Sequence, residues 1–101
     1  MEMYPALFEV KAAKVAALLK EMGNARRLMV LCKLVEHGEM SVGALGEAVG
    51  LAQSALSQHL GRMRGEGLVT SRRDGQTMWY RIADPRIEAL LATLYQQFCK
   101  E

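Results

Sequence analysis

The sequence is poor in aromatic residues and in cysteine, and it has no long apolar run. One tryptophan, three tyrosines and two phenylalanines in 101 residues cannot fill a core, so Leu, Val, Ala and Met must build it, which favours helices over a β-sandwich. No stretch approaches the roughly 18 apolar residues of a membrane span, and residues 1–9 lack the basic start and apolar core of a secretion signal. We therefore expect one cytoplasmic, mainly α domain over residues 1–101 that does not enter a membrane.

The residue patterns that catalysis and metal binding require are also missing. The two cysteines, Cys32 and Cys99, are not part of a CxxC motif, and neither histidine clusters with them. Zinc would need thiolates and imidazoles at tetrahedral spacing, and the sequence has neither a nucleophile and base pair nor a glycine-rich phosphate loop. We expect no enzyme, no cofactor and no metal site, and two free thiols in a reducing compartment.

The positive charge of the chain is concentrated in one third of its length. The formal net charge is only +2, yet residues 53–81 carry five arginines against two acidic residues, and the remainder is slightly negative. A local basic surface of this kind is the electrostatic footprint of a phosphate-binding protein, although a solvated basic face has the same composition.

An amphipathic stretch with an unusual polar face, Leu51 to Arg64, covers the start of that basic third. Leu56, Leu60 and Met63 form one narrow apolar stripe at helical spacing. The opposite face lacks the Glu and Lys pairs of a solvated helix and carries small polar side chains that can reach base edges and phosphates in a DNA groove. We expect base contacts from Ser54, Ser57 and Gln58, and phosphate or base contacts from Gln53 and Arg62.

A short helix and a hairpin flank this predicted recognition helix. Ser41 is a suitable N-cap for a helix over residues 42–49, and the two helices together form a helix-turn-helix. Two strand-like runs, residues 68–73 and 77–82, are joined at Asp74-Gly75, which is a strong hairpin signal. A basic hairpin after a helix-turn-helix is a wing, whose Arg72 and Arg73 would lie along the sugar-phosphate backbone or enter the minor groove. An edge hairpin with solvated arginines is the alternative.

Three further helices complete the pattern. The first runs from Pro5 to about Gly23, the second covers residues 25–36 after an Asn24 cap, and the last follows Pro85. Arg26 and Arg27 oppose the dipole of the second helix, which favours an anionic partner such as phosphate, although exposed arginines also tolerate the small penalty of this position. Because the last helix has more apolar positions than a small core needs, we expect the first and last helices to form a homodimer interface. Such a dimer would present two recognition helices about 34 Å apart.

This order of elements resembles the ArsR/SmtB family of winged-helix repressors over nearly the whole chain. The resemblance is carried by NARRLMVLCKL at residues 24–34, by QSALSQHLGRMRGEGLV at residues 53–69 and by DGQTMWYRI in the hairpin, which are similar to the BigR, SqrR and HlyU branch of the family. It implies a winged helix-turn-helix, mainly α with a small β-hairpin, that acts as a dimeric repressor and releases operator DNA when an inducer binds.

Two metal sites of that family have no counterpart in this sequence. One uses thiols in the helix before the recognition helix, and residues 40–46 contain none. The other uses Asp, His, His and Glu on the last helix, where the matching positions hold Asp84, Arg86, Gln97 and Lys100. Both departures argue against metal sensing at those sites.

The two cysteines do match the branch. Cys32 and Cys99, 67 positions apart, stand where its members have two thiols that persulfides or polysulfides oxidise to a sulfur-bridged form, with release of DNA. The resemblance therefore implies a dithiol repressor with reactive sulfur species as the inducer. A sensor of a thiophilic metal, a metalloid or a general oxidant is one alternative, and a winged-helix module that binds only protein is another. Taken alone, Cys32 would be a small core residue and Cys99 a terminal thiol.

Overall fold

A computed structural model describes residues 5–99 of the chain. Its helices are α1 Pro5–Met22, α2 Ala25–His37, α3 Val42–Val49, α4 Gln53–Gly65 and α5 Pro85–Leu94, which a π-helical turn, Tyr95–Cys99, extends. Its strands are β1 Met40–Ser41, β2 Val69–Asp74 and β3 Thr77–Ile82. Residues 1–4, which belong to the segment expected to lack a secretion signal, lie outside the described residues. The same holds for Lys100, which occupies a position that matches the family's metal set.

The predicted caps set the bounds of the helices. The side chain of Asn24 accepts a hydrogen bond from the backbone N–H of Arg27 at 3.1 Å, and that of Ser41 accepts one from Ala44 at 3.2 Å. Each bond satisfies an N–H group that the first turn of a helix leaves without a partner. At the other end of α3, Gly50 adopts a left-handed backbone with φ 67°, which turns the chain from α3 towards α4.

The sheet has one strand more than the predicted hairpin. β3 is its central strand, and both neighbours are antiparallel to it in the order β1-β3-β2. Met40 pairs with Tyr80 on one side, while Arg72 pairs with Trp79 on the other. Two residues are too few to show the alternation that marks a strand, so β1 gave no signal in the sequence. Its pairing attaches the base of the wing to the segment that precedes α3.

The core forms on the faces that the apolar spacing predicted. Leu56, Leu60 and Met63 of α4 are buried, as are Tyr80 and Ile82 of β3. α2 packs against α1, α3, α5 and β3, so it lies at the centre of the domain. The predicted fold class, a mainly α winged helix-turn-helix with a small hairpin, is therefore confirmed.

α1 and the end of α5 leave apolar side chains in water. On α1 these side chains are about half exposed, and Phe98, in the π-helical turn, is 82% exposed. Within residues 5–99, no helix is both long enough and apolar enough to cross a membrane. The exposed apolar positions of α1 are Leu7, Phe8, Val10, Val15 and Leu19.

Candidate nucleic-acid interface and thiol pair

The polar face of α4 lies open to solvent. Gln53, Ser54, Ser57 and Gln58 are all exposed, and no hydrogen bond among residues 5–99 uses their side chains. Gln53 differs from the others because it also lines a groove of about 540 Å³ between α3, the start of α4 and the wing. No side chain caps the N-terminus of α4, so N–H groups of its first turn are available to an anion such as phosphate.

The two wing arginines have different surroundings. Arg72 donates two hydrogen bonds to the carboxylate of Glu39, at 2.9 and 2.7 Å, and its guanidinium lies 5.5 Å from the centre of the Trp79 ring. The hydrogen bonds from Arg72 hold the pKa of Glu39 below its usual value. Arg73 is exposed and pairs with Met78 in the sheet register. Both wing arginines are therefore exposed, and Arg72 is restrained by an ion pair with Glu39.

Arg62 of α4 binds a carboxylate of the same chain. Its Nε and Nη2 atoms donate to the two carboxylate oxygens of Glu21, at 2.7 and 2.9 Å. Glu21 is buried near the end of α1, and the hydrogen bond from Arg62 lowers its pKa. The side chain of Arg62 is nevertheless 56% exposed, so part of it still faces solvent. The sequence placed Arg62 on the DNA-reading face and did not identify its partner.

Arg27 has the same partner, which corrects the interpretation of its charge. Its Nε donates to the backbone carbonyl of Glu21 at 2.6 Å and lies 3.9 Å from the Glu21 carboxylate. The anionic partner inferred for this residue is therefore a side chain of the protein. The sequence did contain a signal for this pairing. Glu21 stands at the end of α1, where the helix dipole disfavours a negative charge, and such a position favours a nearby cationic partner.

The two thiols lie on α2 and on the π-helical turn that extends α5, the helix that packs against α2. Cys32 of α2 is half-buried, and Cys99, at the end of the π-helical turn, is exposed. Both are free, and they are not close to each other. Burial raises the pKa of Cys32, and the negative charge of the Cys99 thiolate raises it further.

A small cavity adjoins the Cys32 thiol. It has a volume of about 190 Å³ and lies between α2 and the end of α5, with Val35 and Tyr95 among its lining residues. In residues 5–99 there is no group of three or more His, Cys, Asp and Glu side chains that could hold a metal ion. Asp84, the acid retained from the family's metal set, caps α5 and accepts hydrogen bonds from the backbone and the guanidinium of Arg86.

The helix pair α3 and α4, followed by the β2 and β3 hairpin, defines a winged helix-turn-helix DNA-binding protein. The model of the bacterial regulatory protein arsR family matches residues 24–71. The chain is 42% identical to the transcriptional activator HlyU of Vibrio cholerae, over 91% of this chain and 84% of that protein. It belongs to the ArsR family of bacterial transcriptional regulators, which bind DNA and are not enzymes.

Solved structures agree with this assignment. Reduced HlyU from Vibrio cholerae superposes with a TM-score of 0.87 at 42% identity, covering 92% of this chain and 97% of that one. The repressor BigR from Xylella fastidiosa gives 0.83 at 40% identity, with coverage of 98% and 100%. A homodimeric winged helix-turn-helix DNA-binding domain from Mycobacterium bovis gives 0.81 at 31% identity, with coverage of 96% and 89%. The resemblance to the branch with BigR and HlyU is confirmed.

Proposed function

We propose that this regulator is a homodimeric, dithiol-based repressor that binds operator DNA when reduced and releases it when reactive sulfur species link Cys32 to Cys99. The observation that carries the proposal is that a chain 42% identical to reduced HlyU has two free thiols, one on α2 and one on the turn that extends α5. The similarity to reduced HlyU and to the repressor BigR supports it.

The chemistry requires two nucleophilic thiols and a sulfane sulfur donor. A thiolate of the protein attacks the outer sulfur of a small persulfide, so that a protein persulfide forms and the donor leaves as a thiolate. When both cysteines carry a persulfide, the terminal sulfur of one attacks the inner sulfur of the other and expels hydrosulfide, which leaves a trisulfide. Since the thiols are not in contact, a bridge with an added sulfur suits them better than a disulfide, whose geometry is restrictive.

The bridge would act on DNA binding by moving α5 relative to α2. These helices pack directly on each other, and α5 carries exposed apolar residues that we assign, with those of α1, to the dimer interface. A covalent link between them would therefore change how two copies meet, and with it the spacing of the recognition helices. The homodimeric relative from Mycobacterium bovis supports the assembly.

Operator binding is assigned to the polar face of α4 and to the wing. Ser54, Ser57 and Gln58 are proposed to contact bases, and Gln53 phosphate or bases, because their side chains are exposed. Arg72 and Arg73 are proposed to contact the backbone or the minor groove. Arg62 also lies on this surface, where it is paired with Glu21.

The test combines intact mass with DNA binding. Reduced protein is treated with polysulfide, hydrogen peroxide or zinc, and its affinity is measured for a duplex that the wild type selects from a random library. We expect polysulfide to add one sulfur and remove two hydrogens as DNA is released, and Cys32→Ser, Cys99→Ser and the double variant to keep the DNA bound. Release of DNA on treatment with zinc, without a covalent change, would show that the protein senses metal instead. Release of DNA from the double variant on treatment with polysulfide would refute the dithiol switch.

A further inference from the structure

Glu21 is a buried acid with an unusual position. Only 6% of it is exposed, and Arg27 is the other charged residue that is buried among residues 5–99. It occupies the last turn of α1, where the helix dipole disfavours a negative charge. A buried carboxylate is costly unless it is paired, so its partners account for its charged state.

These partners join three helices at one point. Arg62 comes from the last turn of α4, 41 positions along the chain, and binds Glu21 through two parallel hydrogen bonds. Arg27 comes from the first turn of α2 and binds the backbone carbonyl of the same glutamate. A two-pronged pair of this kind fixes orientation as well as distance. Within residues 5–99, the Arg62–Glu21 pair provides the side-chain hydrogen bonds between α1 and the recognition helix.

We propose that Glu21 is a positioning residue that fixes the recognition helix to the junction of α1 and α2, and that Arg62 serves DNA reading through Glu21 and not through a phosphate contact of its own. In the proposed dimer α1 lies at the interface, so the pair also fixes the reading head of each copy relative to that interface. This inference rests on DNA binding and on the dimer, and not on the thiol chemistry.

The two possible roles of Arg62 give opposite results when Glu21 loses its charge. If Arg62 leaves Glu21 to bind phosphate, the carboxylate competes with DNA, and Glu21→Gln strengthens binding. If Arg62 positions α4 through Glu21, the same substitution loosens the helix and weakens binding to the selected sequence. Gln keeps the size of the side chain, so the sign of the change reports on charge and not on a cavity.

The experiment measures, under reducing conditions, the affinity for the selected duplex and for a scrambled duplex of equal length over a range of salt. We expect Glu21→Gln and Arg62→Lys each to weaken binding of the selected duplex about tenfold, and their combination to cost less than the product of the two, as is usual for coupled neighbours. The affinity for the scrambled duplex and the salt dependence of binding should be unchanged, since no phosphate contact is lost. Arg64→Lys is the matched control, because Arg64 lies on the same helix and donates one hydrogen bond of 3.3 Å to Ser71. We expect this variant to change neither the affinity for the selected duplex nor the salt dependence.

Tighter binding by Glu21→Gln would overturn the proposal, as would a salt slope reduced by about one unit in Arg62→Ala, which marks a lost phosphate contact. Thermal unfolding shows whether each variant is folded. If Glu21→Gln does not fold, Arg62→Lys decides alone. Lysine keeps a phosphate contact but not the two-pronged pair, so normal affinity for the selected duplex refutes the positioning role. DNA release on treatment with polysulfide tests the thiol proposal only. Unaltered release in these variants, or no release in the wild type, leaves the positioning role of Glu21 unaffected.

Discussion

Arg72 of the wing is held by Glu39 through two hydrogen bonds, at 2.9 and 2.7 Å, while its other side faces the ring of Trp79. Glu39 precedes β1, 33 positions before Arg72 in the chain. The pair is solvent-exposed, and exposed pairs of this kind contribute little to stability. If Arg72 contacts DNA as proposed, phosphates of the duplex and the carboxylate of Glu39 compete for the same guanidinium.

Loss of the wing arginine should weaken DNA binding without changing its sequence preference. We expect Arg72→Ala to reduce affinity for selected and scrambled duplexes alike and to lower the salt slope by about one unit, because one phosphate contact is lost. Fluorescence anisotropy over a salt series measures both quantities. Arg86→Ala is the matched control, since Arg86 is paired with Asp84 in the same way but lies outside the wing. A change in sequence preference with an unchanged slope would contradict the assignment of Arg72 to the backbone.

Removing the charge of Glu39 should have the opposite effect. Glu39→Gln frees Arg72 from its competitor, so we expect tighter binding to both duplexes at low salt and a smaller gain at high salt, where charge interactions are screened. The gain should disappear in the double variant with Arg72→Ala. Weaker binding by Glu39→Gln would mean that the carboxylate orients Arg72 for DNA and does not compete with it.

The Cys32 thiol should respond to the charge at Cys99. Burial raises its pKa first and the Cys99 thiolate second, so Cys99→Ser should lower the pKa of Cys32 without restoring its ordinary value. The rate of alkylation by iodoacetamide across alkaline pH, followed by mass spectrometry, gives that pKa. Because the folded-state pKa is raised, the neutral thiol favours folding at low pH, and this contribution is lost as the pH rises through it. An identical alkylation midpoint in wild type and Cys99→Ser would show that the two thiols do not interact.

The exposed apolar face of α1 should hold two copies together. Val15 is about half exposed, so its replacement by Glu would place a charge in the proposed interface at a high desolvation cost while leaving the core of one copy intact. We expect Val15→Glu to sediment as a monomer and to lose affinity for the selected duplex. Ala13→Glu, at an exposed position about 160° around the helix from Val15, introduces the same carboxylate as a control. A dimeric Val15→Glu protein would remove α1 from the interface.

The Asn24 cap should be measurable as stability. Its side chain accepts the backbone N–H of Arg27, and loss of such a cap costs about 1 kcal/mol. We expect Asn24→Ala to lower the free energy of unfolding in urea by that amount and Asn24→Asp, which keeps an acceptor, to lower it by far less. An unchanged unfolding curve for Asn24→Ala would mean that α2 is held by packing alone.

Local sequence patterns predicted most of the elements. The spacing of Leu56, Leu60 and Met63 identified the buried face of α4, and the caps at Asn24 and Ser41 set the starts of two helices within one residue, because these signals involve neighbours in the chain. β1 was missed, since its pairing with β3 is the reason that it forms. The DNA contacts of the polar face and the joint role of the two cysteines stay predictions.

The sequence by itself determined which faces are apolar, where helices begin and end, and that the basic charge gathers around the helix-turn-helix and the wing. Only the tertiary structure decided which carboxylate each arginine meets, with Glu21 for Arg62 and Glu39 for Arg72. The physical reason is range. Caps and periodicity act over a few residues, whereas long charged side chains find partners 41 and 33 positions away, which become neighbours only after the core has packed.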